Sequence, residues 1–323
     1  VAMSARYLRG GRPMSNPLSN LDGLLPNNPP ERLIDRFSYT GDIHPYTVCS
    51  KQYGTFEHYG FAKALPIQAW FGDAVHMTIE MLYNQYSGAL AGSDGDVRPG
   101  VLPSEEDVEF HTMTSISILK SRGVNARESA WGVVIDLMSR FNQVEGSGFY
   151  ERIEKTEVRL ETVVEPDGED IPPYIMNGVI DVLVSSDEEE LEIWDYKAMR
   201  KPEEGDEKLE VLKNQMFNYY EIVKSLYPER QITTAVLYFV NELREDGSGD
   251  PIYSIDLTDR AIGKQIQQAR RFANQVVEKI RDGKNKGKFP IPLKGSVDSQ
   301  TCGACFLRWS CPSTDKEYTL QAP

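Results

Sequence analysis

The sequence predicts an α/β fold: a β-sheet with helices on its faces. The first observation is a change of period. Ahead of Tyr150 the apolar residues recur at helical spacing; beyond it they alternate, filling extended runs at 152–164, 174–185 and 190–198. The second is the order of the later elements. A helical stretch at 206–226 precedes strands at 232–241 and 252–257, and a further helix covers 258–282. The third is where charge intrudes: Asp181 and Asp195 each lie inside an apolar strand run, where a carboxylate needs a partner.

Residues 1–32 are rich in Gly, Pro, Asn and Ser and end at Asn27-Asn28-Pro29-Pro30, so they are expected to form a flexible arm. Pro45 opens a short helix through Tyr53 that carries Cys49. Pro66 opens a longer one, roughly 66–90, with Ile67, Trp70, Ala74, Met77 and Met81 along one side and His76 in its middle. Ser104 and Asp107, three apart, start a helix reaching about Lys120. Another runs over about 126–143 and stops at Gly146-Ser147-Gly148. The helices between about 92 and 145 read as an insertion between the His76 helix and the sheet.

Residues 174–198 form a hairpin around the acidic turn at Asp187-Glu188-Glu189-Glu190. In its second strand Leu191, Ile193 and Asp195 share one face, and Glu192, Trp194 and Tyr196 the other. Lys197, two residues from Asp195, projects with it. Pairing of the strands brings Asp181 towards Asp195. Two carboxylates and an ammonium in an apolar setting make a divalent-cation site with a cationic helper. The alternative is a surface hairpin with a solvated salt bridge. Glu157, on the preceding strand, is either a further residue around a metal or a solvent-facing one.

Composition bounds the function. Charged residues are 26% and hydrophobic ones 40% of 323, a globular balance. No run approaches the roughly 18 apolar residues of a membrane span, and no signal segment opens the chain, so no membrane partner and a cytoplasmic location are expected. A net charge of −14 argues against coating nucleic acid nonspecifically, though not against gripping it locally. The basic run at 260–288 is either one solvated helix face with a basic loop or a surface that tracks phosphates.

The four cysteines form the second constellation: Cys49, far upstream, and Cys302, Cys305 and Cys311, ending in Pro312. Closely spaced thiols of this kind are more often metal ligands than disulfides. By count they suit zinc or an iron–sulfur cluster equally. One distant cysteine with a tight C-terminal trio favours [4Fe–4S]. Unliganded thiols are the remaining reading.

Six elements now stand in order: Cys49, Gly72-x3-His76, Gly178-x2-Asp181, Asp195-Tyr196-Lys197, Gln215-x3-Tyr219 and the terminal cysteine trio. With them the chain resembles the RecB-type branch of the PD-(D/E)xK nuclease superfamily. Within that branch it is similar to the iron–sulfur exonucleases associated with CRISPR systems, the fourth numbered Cas family. The resemblance covers about 37–312. It implies a restriction-endonuclease-like mixed sheet flanked by helices, in a nuclease domain over 33–312. A cluster-binding segment at 289–312 would join the N- and C-terminal parts, with 313–323 as a tail. It implies that His76, Asp181, Asp195 and the Tyr196 carbonyl bind Mg²⁺ or Mn²⁺. Lys197 would position the attacking water and offset transition-state charge, while Gln215 and Tyr219 would hold the site or the DNA strand. The cysteines would hold a structural [4Fe–4S] cluster.

The resembled family acts on DNA ends, often single-stranded, and trims fragments before their integration into CRISPR arrays. The expectation is therefore a DNA exonuclease of CRISPR adaptation, repair or recombination, partnered by CRISPR integrase proteins or a helicase. The inserted helices would gate a threaded strand. Trp70, Phe71, Trp194 and Tyr196 are candidates to stack bases, with core packing as their other use. Two other functions remain: a noncatalytic iron–sulfur DNA-binding subunit, and a zinc-stabilised RNA phosphodiesterase. The first would bind DNA without turnover.

Overall fold

A computed structural model describes residues 34–58, 69–88, 100–124, 126–166, 171–185, 189–244 and 248–309, with positions 60, 187, 246 and 311–313. The expected arm at 1–32 lies outside the described residues, as do 314–323 of the expected tail.

Residues from Arg36 onward form one compact unit. Its strands are β1 (Arg36–Ser38), β2 (Ile153–Val164), β3 (Tyr174–Ser185), β4 (Glu190–Lys197), β5 (Gln231–Phe239) and β6 (Ile252–Asp256). The order is β1-β3-β4-β5-β6, with β2 pairing β3. β1 lies parallel to β3, and β4 parallel to β5; the other pairs are antiparallel, so the sheet is mixed. The β4–β5 pair is joined through α6 (Glu207–Leu226), because strands running the same way need a long crossover. Asp206 caps that helix, accepting from the Lys208 backbone N–H.

Each face of the sheet is covered. On one, α3 (Ala69–Ser87), α4 (Glu105–Ser121) and α5 (Glu128–Tyr150) pack together over Val182, Val184, Trp194, Tyr196, Val236 and Tyr238. On the other, α6 and α7 (Arg260–Lys286) cover Leu183, Leu191, Ile193, Ala235 and Leu237. The alternation expected in β4 is observed: Leu191 and Ile193 meet one helical layer, Trp194 and Tyr196 the other. Each such aliphatic residue, fully buried, contributes about 1.5–3 kcal/mol.

The helices taken for an insertion are part of this core. Val108, Ile116 and Leu119 of α4 and Trp131, Val134, Leu137, Met138 and Phe141 of α5 are buried in the same cluster as the strand residues. Sequence order placed them outside the sheet motif; burial of their apolar faces makes them the sheet's cover. The capping box at Ser104 and Asp107 forms as its spacing requires. The break expected at Gly146 is a kink inside α5, at φ +58°, after which one more helical turn reaches Tyr150.

A third apolar cluster joins the two ends of the unit. Phe37, Tyr39, Ile43, Tyr46 and Tyr53 pack with Val276, Val277, Ile280 and Phe289. The expected helix from Pro45 to Tyr53 is two short ones, α1 (His44–Val48) and α2 (Ser50–Tyr53), separated by an extended Cys49. Just beyond α2, a Cβ on Gly54 would stand 2.3 Å from the Phe289 ring, so only glycine admits that ring. The basic run lies largely on α7, an amphipathic helix. Ile266, Ala269 and Ala273 turn inward, while Arg281 donates to the carbonyls of Pro172 and Pro173 and Lys286 pairs with Asp282.

Candidate active site

The site forms where the β3–β4 hairpin splays. The ladder's last pair towards the open end is Val182 with Trp194. One residue further on, the side chain of Asp181 takes over the backbone's role: its Oδ2 accepts from the Tyr196 N–H at 2.7 Å. That bond fixes the carboxylate between the strands and leaves the Tyr196 carbonyl to face α3. There His76 Nε2 lies 3.2 Å from the Tyr196 oxygen. Its Nδ1 is 3.4 Å from Asp181 Oδ2 and 3.5 Å from Glu157 Oε1. His76, Glu157 and Asp181 offer donor atoms that all lie within 4.8 Å of one another. The partners of His76 thus come from the strands.

Glu157 therefore belongs to the cluster rather than to solvent. Its neighbours Thr156 and Val158 pair with Val182 and Ile180, which places Glu157 opposite Asp181. Its backbone sits at φ +46°, the one non-glycine positive φ among the described residues. Such a conformation costs of order 1–3 kcal/mol and persists only where its surroundings impose it.

Asp195 and Lys197 project from β4 towards α6, as their spacing requires. The Lys197 ammonium lies against Asp195 Oδ2 and donates to Gln215 Oε1 at 3.1 Å. The Gln215 amide donates to Asp195 Oδ1 at 3.1 Å and to the Tyr219 hydroxyl at 2.9 Å. Gln215 and Tyr219, one helical turn apart, thus brace the carboxylate from behind. Gly178 makes the approach possible, since a Cβ there would stand 2.8 Å from the Tyr219 ring.

Charge is concentrated in this cleft. Burial pushes the Asp195 carboxyl up to about 6, against the pull of Lys197, and Asp181 adds to the rise. Burial would lower His76, but Asp181, Glu157 and Asp195 outweigh it and hold the imidazole well above its ordinary value. Burial raises Glu80 as well, with help from Glu157. A cluster with surplus carboxylate that raises its own histidine is one a cation would relieve. Asp195 Oδ2 points the same way: it is buried, touches Lys197, and has no hydrogen bond of good geometry. The donors present, carboxylate and carbonyl oxygens with one imidazole, fit Mg²⁺ or Mn²⁺.

The cysteines meet elsewhere. Cys49, Cys302, Cys305 and Cys311 line one pocket with Lys51, Gln52 and Leu307, and none of the four is in a disulfide. Burial raises the Cys49 thiol, the Gln52 and Lys51 backbone amides oppose the rise, and Cys305 and Cys311 add to it. No three of the sulfurs lie mutually within the 4.8 Å that gathers the His76 group.

Of the four aromatic candidates for stacking, Trp70, Trp194 and Tyr196 are core residues and Phe71 is half-buried against that core. The sequence missed β1, whose three residues carry too little pattern to show. It also missed the bond from Tyr196 N–H to Asp181, which depends on strand register.

A sequence model of the PD-(D/E)XK nuclease superfamily matches residues 36–312. The chain belongs to this superfamily. Nucleases of the PD-(D/E)XK superfamily generally use divalent metal ions. No curated protein matches the chain. Among solved structures, a candidate exonuclease of Eubacterium rectale is 14% identical, with a TM-score of 0.47 over 78% of this chain and 82% of that one. The protein SSO0001 is also 14% identical, with a TM-score of 0.33 over 80% of this chain and 92% of its own. Likenesses this distant do not bear on what this PD-(D/E)XK protein cleaves. No helix among the described residues is long and apolar enough to cross a membrane.

Proposed function

We propose that this protein is a divalent-metal-dependent deoxyribonuclease that acts as an exonuclease on single strands or DNA ends. The observation that carries the reading is the convergence of His76, Asp181 and the Tyr196 carbonyl, with Asp195 and Lys197 on the adjoining strand positions. His76, Asp181, Asp195 and the Tyr196 carbonyl would hold the ion. Bound there, it supplies polarisation of the phosphate and a lowered pKa for water. Lys197 orients the attacking water and offsets negative charge in the transition state. Gln215 fixes the Lys197 ammonium and the Asp195 carboxylate relative to each other, and Tyr219 fixes Gln215. Glu157 meets the imidazole at Nδ1, beside Asp181, and sets its orientation.

The cysteine pocket is proposed as the seat of a structural [4Fe–4S] cluster. Support comes from the gathering of four thiols, none in a disulfide, from both ends of the unit. Trimming of DNA for CRISPR adaptation, or processing of ends in repair, with integrase proteins or a helicase as partners, is supported by the sequence resemblance.

The test uses protein purified without oxygen, given end-labelled single- and double-stranded DNA with Mn²⁺, Mg²⁺ or EDTA. Metal-dependent shortening by the wild type and none by Lys197→Ala is the expected result, and the ladder from each label gives the polarity. Well-folded protein that leaves both substrates intact with either metal would overturn the reading.

A further inference from the structure

Beside the metal-type cluster an open groove runs between α3, α5 and the segment after β5. Phe71, Leu137, Arg140, Ala198, Asn241 and Leu243 line it. Three observations tie it to the catalytic centre. Ala198 directly follows Lys197. Phe71 is five residues ahead of His76 on α3, about 7.5 Å along the helix axis. Gly72 packs against Ala198, a Cβ there standing 3.9 Å from the alanine's, so α3 is pinned to the end of β4 at the groove's inner edge.

The lining is an aromatic and aliphatic slot with Arg140, the Asp136 carboxylate and the Asn241 amide among it. Its floor is rigid: behind Phe71 lies Trp70, 5.7 Å between ring centroids, which packs at 4.2 Å on Trp131. Flat apolar walls with a few polar groups are what a planar heterocycle requires. Every base offers a face to an aromatic ring whatever its sequence.

We propose that this groove holds the unstacked base of the nucleotide whose phosphate is presented to the His76–Asp181 centre, and so confines the enzyme to single strands and frayed ends. The proposal rests on the phosphodiesterase reading of the adjoining centre. Its consequence is a specificity: a base inside a duplex is stacked and paired and must leave the helix to enter.

The probe is a short single-stranded oligodeoxynucleotide carrying 2-aminopurine at one position, scanned in from each end, with the full-length Lys197→Ala chain so that nothing is cleaved. One position should change fluorescence on binding. Phe71→Ala, in the same background, should abolish that change and weaken binding about tenfold. Val133→Trp, a surface substitution at the groove's rim, should do the same by filling it, and keeps the test valid if Phe71→Ala misfolds. A blunt duplex with the same label should stay silent. Equal signals from wild-type and altered grooves, or from duplex and single strand, would overturn the proposal. The readout is binding, so it is independent of catalysis. A chain that holds the base but, with Lys197 intact, cleaves nothing supports the groove and sinks the nuclease reading. Metal-dependent cleavage of single strands with kcat/KM unmoved by either groove variant does the opposite.

Discussion

The carboxylate centre and the cysteine pocket both gather metal-type donors from distant parts of the chain, but the fold holds them differently. Asp181 and Asp195 sit on core strands at 7% and 2% exposure, and ladder register, a backbone N–H and Gln215 fix their directions. The cysteines sit on short pieces. Cys49 interrupts two helices of five and four residues, and Cys302 lies in α8 (Ser299–Ala304). Among their supports, backbone N–H groups reach the Cys49 and Cys305 sulfurs at 3.4 Å, and Ser50 donates to the Pro290 carbonyl at 2.9 Å. A centre built on a sheet is organised before any ion arrives, whereas a pocket built on loop ends depends on its ligand for rigidity.

The largest effects should separate the two by kind. Lys197→Ala is expected to lower DNA cleavage by about 10³-fold or more while leaving the thermal melt within a few degrees of wild type. Cys305→Ala is expected to do the reverse: brown colour and solubility are lost together, and Tm falls roughly 5–8 °C, in line with a loss of about 3–5 kcal/mol. A colourless Cys305→Ala protein of normal stability and activity would break the comparison.

Burial itself gives the next effect. Because Asp195 is raised to about 6 from an ordinary 3.8, folding favours its protonated form. The ionised residue therefore opposes folding in metal-free protein. That opposition begins as pH rises above 3.8 and is complete above about 6, where it amounts to roughly 3 kcal/mol. Asp195→Asn should raise the Tm of metal-free protein at pH 8, with the gain vanishing near pH 4, and should abolish activity at both. An unchanged Tm at pH 8 would remove the case for a centre strained by its own charge.

Two smaller effects probe the centre's scaffold. Gly178→Ala should destabilise by about 1–3 kcal/mol, since the new methyl must displace the Tyr219 ring. It should also lower activity through Gln215, and urea titration with kcat on the same samples would show both. Glu157→Gly should stabilise by about 1 kcal/mol by relieving φ +46°. Metal affinity should weaken about 10–100-fold, as measured by calorimetry. Stability and affinity falling together would mean the strain is not local to Glu157.

Much of the fold was legible because it rests on local pattern. Alternation in β4 and in the apolar stretch of β3, helical spacing in α3 and α7, and the Ser104–Asp107 box are each carried by residues a few positions apart, and each formed. The same holds for Asp195 and Lys197, whose shared face follows from a period of two. Where sequence failed, the deciding contact was distant. For helices α4 and α5 nothing local says which sheet face their apolar stripes will cover. For Glu157 the sequence left two readings open, a place around the metal or one facing solvent, and register decided between them by setting it opposite Asp181 with His76 against both. The sequence alone determined the elements, their order and the residue types able to bind a cation. Only the tertiary structure decided that the hairpin splays after Val182, turns the Tyr196 carbonyl to His76 and braces Asp195 from α6. Those geometries depend on pairing across 15 to 120 residues of chain, a range at which local propensity carries no information.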